Sequence, residues 1–197
     1  LRNGDTLLGY PDYQKGRVVV IFSALFNTPV RRKVAEWDKL CYATADQAHL
    51  LYRRQLDCYY HLAEEHPQCF RLLHTQADLS EVLNDWNATE KPSHPVGLVI
   101  LMEGAECIRQ PQEVEEWWEL GVRIIGPAWA GTRFCGGTHE PGPLTSEGYH
   151  LLDAMADFGY TLDITHMDVK SALQAVDHYP GSVIASHANI LRRIKGA

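Results

Sequence analysis

The sequence is short of positive charge and of long apolar runs. Its 18 lysines and arginines are outnumbered by 25 aspartates and glutamates, a net charge of -7 over 197 residues. Such a balance offers no basic stripe to neutralise phosphates, so nucleic acid is not an expected partner. The longest apolar run, residues 18–26 with one serine inside, is roughly half of the ~20 residues a helix needs to cross a bilayer, and no membrane span is expected. The five cysteines (Cys41, Cys58, Cys69, Cys107 and Cys135) are odd in number and contain no Cys-x-x-Cys pair. Neither a disulfide framework nor a cysteine zinc knuckle is indicated, and a reducing cytoplasm fits this usage. The first residue is Leu1 and no basic-then-apolar leader follows it. No secretion signal is therefore visible, and the natural start of the chain is expected to be missing. Also absent are a phosphate loop and a Gly-x-Gly-x-x-Gly after the first apolar segment, which removes the commonest reason for a nucleotide-binding sheet.

What is present is an ordinary globular composition, 45% hydrophobic and 22% charged, enough to bury the core of one domain spanning residues 1–197. Residues 17–26 are rich in β-branched side chains and apolar on both alternations, as in a parallel strand covered on both faces. Residues 34–63 carry apolar groups at helical spacing, from Trp37 and Leu40 to Tyr59 and Leu62, with a candidate break near Thr44. Strands are then predicted at 69–73, 96–102, 122–125, 160–164 and 182–186, and helices at 79–86, 114–120, 151–158 and 169–176, the last capped by Asp168. Residues 89–95 and the glycine-rich 126–143 read as linkers. Alternation of strand and helix argues for a parallel α/β fold, either a doubly wound sheet or a (β/α)8 TIM barrel, with six strands of the eight that a barrel needs.

Three of the predicted strands share a pattern, an apolar run followed by a residue able to bind metal. They are VGLVILM before Glu103, YTLDIT before His166 and GSVIAS before His187. The C-terminal strand ends of a parallel barrel form its active face, so the pattern aims all three side chains into one mouth. Two imidazoles and a carboxylate suit zinc or another divalent first-row metal, which can acidify a bound water for hydrolysis. Equally, each histidine could simply pack or hydrogen-bond at a strand end. His49, His61, His66, His74, His94, His150 and His178 are read in that plain way, and Trp117 and Trp118 as core.

The strings Glu103-Gly104, GVRIIGPAWAGTRFCGGTHEPGPLT (121–145), DITH (163–166) and ASHAN (185–189) resemble the membrane (renal) dipeptidase family of zinc peptidases. The specific part is an Asp-hydrophobic-Ser/Thr-His motif followed, 187 − 166 = 21 residues later, by Ser-His-Ser/Ala. The resemblance implies a metal-dependent hydrolase barrel holding two zinc ions. Glu103 would bridge them, His166 and His187 would bind the second, and a metal-held hydroxide would attack the peptide bond of a dipeptide. Family members are often homodimers.

Departures from the family pattern are specific. Its first strand bears a His-x-Asp pair for the first zinc, and none precedes Val18. Its eighth strand bears an aspartate that handles the proton, whereas this sequence ends ten residues after His187 (197 − 187 = 10). The first and last strands are therefore expected to be missing. Where better-known members carry a histidine that polarises the substrate carbonyl, this sequence has Trp129, whose indole N–H can donate one hydrogen bond. His139, in the loop GGTHEPG, either enters the site as a substrate-binding group or is a solvated loop residue. Asp163 lies three residues before His166 and would point to the opposite face of a regular strand. It either fixes the tautomer of a ligand or bonds to the neighbouring backbone. Three functions stay in competition: a zinc-dependent dipeptidase, a catalytically incompetent barrel remnant, and another amidohydrolase-type metal hydrolase. The last would favour a bridging lysine at a strand end, but Lys91 and Lys170 fall in a loop and a helix.

Overall fold

A computed structural model describes residues 7–88 and 91–188. Part of the 89–95 linker, and Asn189 of the ASHAN string, lie outside the described residues. The chain begins with α1 (Tyr10–Gly16), β1 (Val20–Leu25), β2 (Thr28–Pro29), β3 (Cys41–Tyr42) and α2 (Ala45–Glu65). It continues through β4 (Phe70–Leu72), α3 (Gln76–Asn87), β5 (Val96–Glu103), α4 (Val114–Glu119) and β6 (Val122–Gly126). It then forms β7 (Cys135–Gly137), β8 (Glu140–Leu144), α5 (Ser146–Phe158), β9 (Thr161–Asp163), α6 (Val169–His178) and β10 (Val183–Ile184).

All six predicted strands are found, as β1, β4, β5, β6, β9 and β10, and every ladder between them is parallel. This is the parallel α/β sheet that the alternation implied, open at both ends among the described residues. The order differs from simple succession in one place. β1 lies directly against β5, with Phe22 opposite Val99, and β4 pairs with the opposite edge of β5, Phe70 opposite Val96. The backbone bonds show the two sides: Gly97 N–H donates to Val19 O, whereas Val96 N–H donates to Cys69 O. β6 continues along the β4 side, from Val122 opposite Ile100 to Gly126 opposite Glu103.

The predicted helix over 34–63 begins only at Ala45, because Thr44 turns its side chain to accept from Gln47 N–H and caps it there. Residues 28–44 instead form the short parallel pair β2 and β3. The stretch read as a glycine-rich linker is an antiparallel hairpin, β7 with β8. Where the hairpin passes the preceding segment, a Cβ on Gly137 would stand 2.5 Å from Ala130 O, so only glycine lets hairpin and segment approach.

Helices cover the outer face of the sheet, and tyrosines on them and just beyond their ends tie layers together. Tyr52, Tyr59, Tyr60, Tyr160 and Tyr179 each donate a hydroxyl hydrogen to a backbone carbonyl, of Glu103, Ala24, Leu120, Val114 and Tyr160 respectively. Burial raises all five phenols above their ordinary value, Tyr179 to about 12, so they remain donors. Trp117 is wholly buried in this outer core, and Trp118 lies under the Arg123 guanidinium.

The inner face is different. β1 was expected to be covered on both sides, yet Phe22 is 51% exposed. With Val99, Ile124, Thr161 and Ile184 it lines a cavity of about 450 Å³. These are inward positions of five strands, and a barrel interior is covered only when the far wall is present.

Candidate metal centre

Parallel strands place their C-terminal ends on one edge, and Glu103 is the last residue of β5. The next residue, Gly104, turns the chain with φ +85° and donates its N–H to Gly126 O on β6. Tyr52 holds the Glu103 carbonyl at 2.7 Å from below. The Glu103 side chain thereby leaves a rigid strand and points out of the barrel mouth.

The two histidines arrive differently. β9 stops at Asp163 and β10 at Ile184, so His166 and His187 each sit three residues beyond their strands. His166 adopts φ +66°, a left-handed conformation that costs a non-glycine residue about 1–2 kcal/mol. It is held there from its C-terminal side: Met167 bridges Gly137 on the hairpin, and Asp168 N–H donates to Gly136 O. This turn breaks the strand period, so Asp163 and His166 do not face opposite ways but serve one site.

Glu103 Oε1 is 3.1 Å from His166 Nε2 and 3.7 Å from His187 Nε2, and the two Nε2 atoms are 2.8 Å apart. One ligand atom from each of the three residues falls within 4.8 Å of the others, a set able to hold a metal ion. The outer nitrogen of each ring meets a hydroxyl, His166 Nδ1 at 3.0 Å from Thr138 Oγ1 and His187 Nδ1 at 2.9 Å from Ser186 Oγ. Both Nε2 atoms are thus the ones turned to the centre. Two imidazoles and one carboxylate form a donor set suited to a divalent first-row metal.

Asp163, 2% exposed, sits behind the pair. It accepts Thr165 N–H at 3.0 Å, Ser186 N–H at 3.1 Å and the Ser186 hydroxyl at 2.5 Å. Of the two roles weighed for it, the bonds to neighbouring backbone are present, whereas its bonds reach no histidine directly; Ser186 lies between it and His187. Trp129 forms one wall of the mouth, its ring 6.3 Å from that of His166 and 5.2 Å edge-on from Phe26, and its carbonyl accepts Thr138 N–H at 2.8 Å. His139 is exposed at the turn of the hairpin, where its carbonyl accepts from Arg32.

Thr138, Ser186 and Tyr52 were not singled out in the sequence. Each is a neighbour of a conspicuous residue or a core position on a helix, and a hydroxyl has no spacing rule of its own. Arg31 and Arg32 were also unremarked. Both bind Glu140 on β8, at 2.9 and 2.7 Å, and so clamp the hairpin that carries Thr138 over the strand ends.

A family model of the membrane dipeptidases, peptidase family M19, matches residues 10–195. Among curated proteins the chain is 32% identical over 104 residues to an uncharacterized protein in the PQQ-III 3' region of Acinetobacter calcoaceticus. That match covers 48% of this chain and 33% of the other. Among solved structures it superposes on the probable dipeptidase PvdM from Pseudomonas aeruginosa with a TM-score of 0.79 at 17% identity, over 95% of this chain and 47% of that one. A metallo peptidase from Rhodobacter sphaeroides, liganded with a phosphinate mimic of the dipeptide L-Ala-D-Ala, gives 0.79 at 19% identity, over 95% and 57%. The chain spans about half the length of these solved relatives. With the family model matched along nearly its whole length and the fold shared, the chain belongs to the membrane dipeptidase family, M19.

Proposed function

We propose that the protein is a zinc-dependent dipeptidase, in which Glu103, His166 and His187 bind metal and a dipeptide is hydrolysed at the barrel mouth. The observation that carries this reading is the convergence of Glu103 Oε1 and the two Nε2 atoms within 4.8 Å. Bound there, zinc would polarise a peptide carbonyl and bring a water towards ionisation at neutral pH. The chain's own residues would set the geometry: Glu103 from a rigid strand, the histidines from turns pinned by Asp163 and the hairpin, and Trp129 as an aromatic wall for the substrate. Glu103 would also be the ligand shared with a second ion. His139 would reach substrate only from the hairpin turn. We take residues 1–197 as one barrel unit and a homodimer as its working state.

The experiment is metal content by elemental mass spectrometry of the purified chain, with hydrolysis of L-Ala-D-Ala measured in added zinc. Bound zinc with turnover is expected for a dipeptidase. Glu103→Gln should then lose most of its metal and activity, whereas His178→Gln, whose ring meets Asp153 on the outer surface, should lose little. Equal losses in the two variants would show the wrong residues chosen. One observation favours a second reading, a barrel piece without competent chemistry: the chain spans about half of its solved relatives. Metal bound without any turnover would select it.

A further inference from the structure

The two oxygens of Asp163 do different work. Oδ1 receives the backbone N–H groups of Thr165 and Ser186, whereas Oδ2 receives the Ser186 hydroxyl. That hydroxyl also lies 2.9 Å from His187 Nδ1. A serine hydroxyl carries a single hydrogen, and a carboxylate can only accept. The hydrogen therefore points to Asp163, and Ser186 Oγ can meet His187 Nδ1 only by accepting from it. Nδ1 must then carry the ring hydrogen, leaving the Nε2 lone pair directed at Glu103 and His166.

We infer that Asp163 and Ser186 are positioning residues that together dictate the tautomer of His187, with Ser186 transmitting the polarity of the buried carboxylate to the ring. The inference rests on the reading of Glu103, His166 and His187 as metal ligands. His166 is served otherwise. Its Nδ1 partner is the Thr138 hydroxyl, and among the described residues no carboxylate hydrogen-bonds that hydroxyl. Thr138 can donate or accept, so it orients His166 without choosing its tautomer. The asymmetry makes the relay testable, because reversing its polarity acts on His187 directly and reaches His166 only across the 2.8 Å contact between the two Nε2 atoms.

Asp163→Asn reverses it with little change of shape. The two backbone N–H groups keep the amide oxygen at the Oδ1 position, so the NH2 group faces Ser186 Oγ. Ser186 Oγ then accepts from the amide, and its own hydrogen is released to donate to His187 Nδ1 or to Thr165 Oγ1, 3.3 Å away, so the Nδ1–H form is no longer imposed and the ring hydrogen can move to Nε2, the nitrogen needed for metal. An isosteric exchange of this kind produces the wrong tautomer in a serine protease triad.

The measurement uses the full chain labelled with 15N-histidine in mildly alkaline buffer without metal, with His187 assigned through His187→Gln. Imidazole nitrogen shifts should show Nδ1–H on His187 in the parent and a shift towards Nε2–H in Asp163→Asn. Zinc titration should weaken about 10–100-fold in the same variant. Ser186→Ala should abolish the tautomer preference, and Ser186→Thr, which restores a hydroxyl, should recover it. A rescue of this kind is not expected of a residue that merely fills space. Unchanged His187 shifts and unchanged zinc affinity in Asp163→Asn would overturn the relay. Should that variant fail to fold by circular dichroism, Ser186→Ala decides alone, and an unaltered Nδ1–H preference there overturns it. The metal-site reading fails separately, through Glu103→Gln and His166→Gln titrating zinc like the parent.

Discussion

His166 shows how much a single backbone conformation decides at this site. In a continued strand its ring would stand on the face opposite Asp163. With φ at +66° the chain folds back, and both residues contribute to one centre. The hairpin that stabilises this turn depends on Gly137, where a Cβ would run into the backbone of the segment before it, Ala130 O at 2.5 Å and Trp129 O at 2.8 Å. Backbone oxygens cannot swing aside as a side chain can. Gly137→Ala is expected to cost about 1–3 kcal/mol, read by urea denaturation, and to displace Thr138 from His166. A variant as stable as the parent would show that the hairpin can shift. Tyr52→Phe should cost about 1 kcal/mol by the same measurement, since the Glu103 carbonyl loses its donor inside the core.

At the level of elements, the strands were legible because burial on both sides of a parallel sheet writes continuous apolar runs such as 96–102. Glu103 was legible for the same reason, as the first polar residue after such a run. The histidines were found by the same pattern, although β9 and β10 end three residues short of them. Their positions come from turns whose shape depends on contacts to the hairpin, which no local pattern records. The hairpin was hidden because GGTHEPG has the glycine and proline of a loop, and its partners, Arg31 and Arg32, lie over a hundred residues earlier. That clamp carries a pH signature. Hydrogen bonding from Arg31, and then Arg32, holds the Glu140 carboxyl below the usual carboxylate range. A depressed folded pKa contributes stability at pH values above the unfolded pKa of about 4.3, and that contribution is lost as pH falls through the folded pKa. Arg31 is 52% exposed, and solvent screening limits the effect to about 1 kcal/mol or less. Glu140→Gln should accordingly be less stable than the parent at neutral pH and equal to it in strong acid, as followed by urea denaturation at both. A difference that persists in acid would assign the loss to packing instead.

For the whole molecule, the open barrel matters most. Among the described residues β1 has β5 as its only neighbour and β10 has only β9, so both outer edges carry unpaired backbone groups. The inner face beside one of them presents Phe22, half exposed. Free edges and exposed apolar surface favour pairing with another chain. Sedimentation velocity is expected to show association that rises with concentration and weakens in Phe22→Glu. A monomer at every concentration would mean that these edges are protected. The same openness bears on motion near the mouth. β9 and β10 share only two paired positions, and beyond them Asp163 and Thr165 link the two segments, Asp163 through Ser186 and Thr165 through Ser186 and His187. The amides of Thr165 and Ser186, 21 residues apart in sequence (186 − 165), end on one oxygen of that carboxylate. They should therefore exchange with deuterium at a shared rate, as a single local opening releases both, so that the two histidine turns breathe together while Glu103 stays fixed on β5.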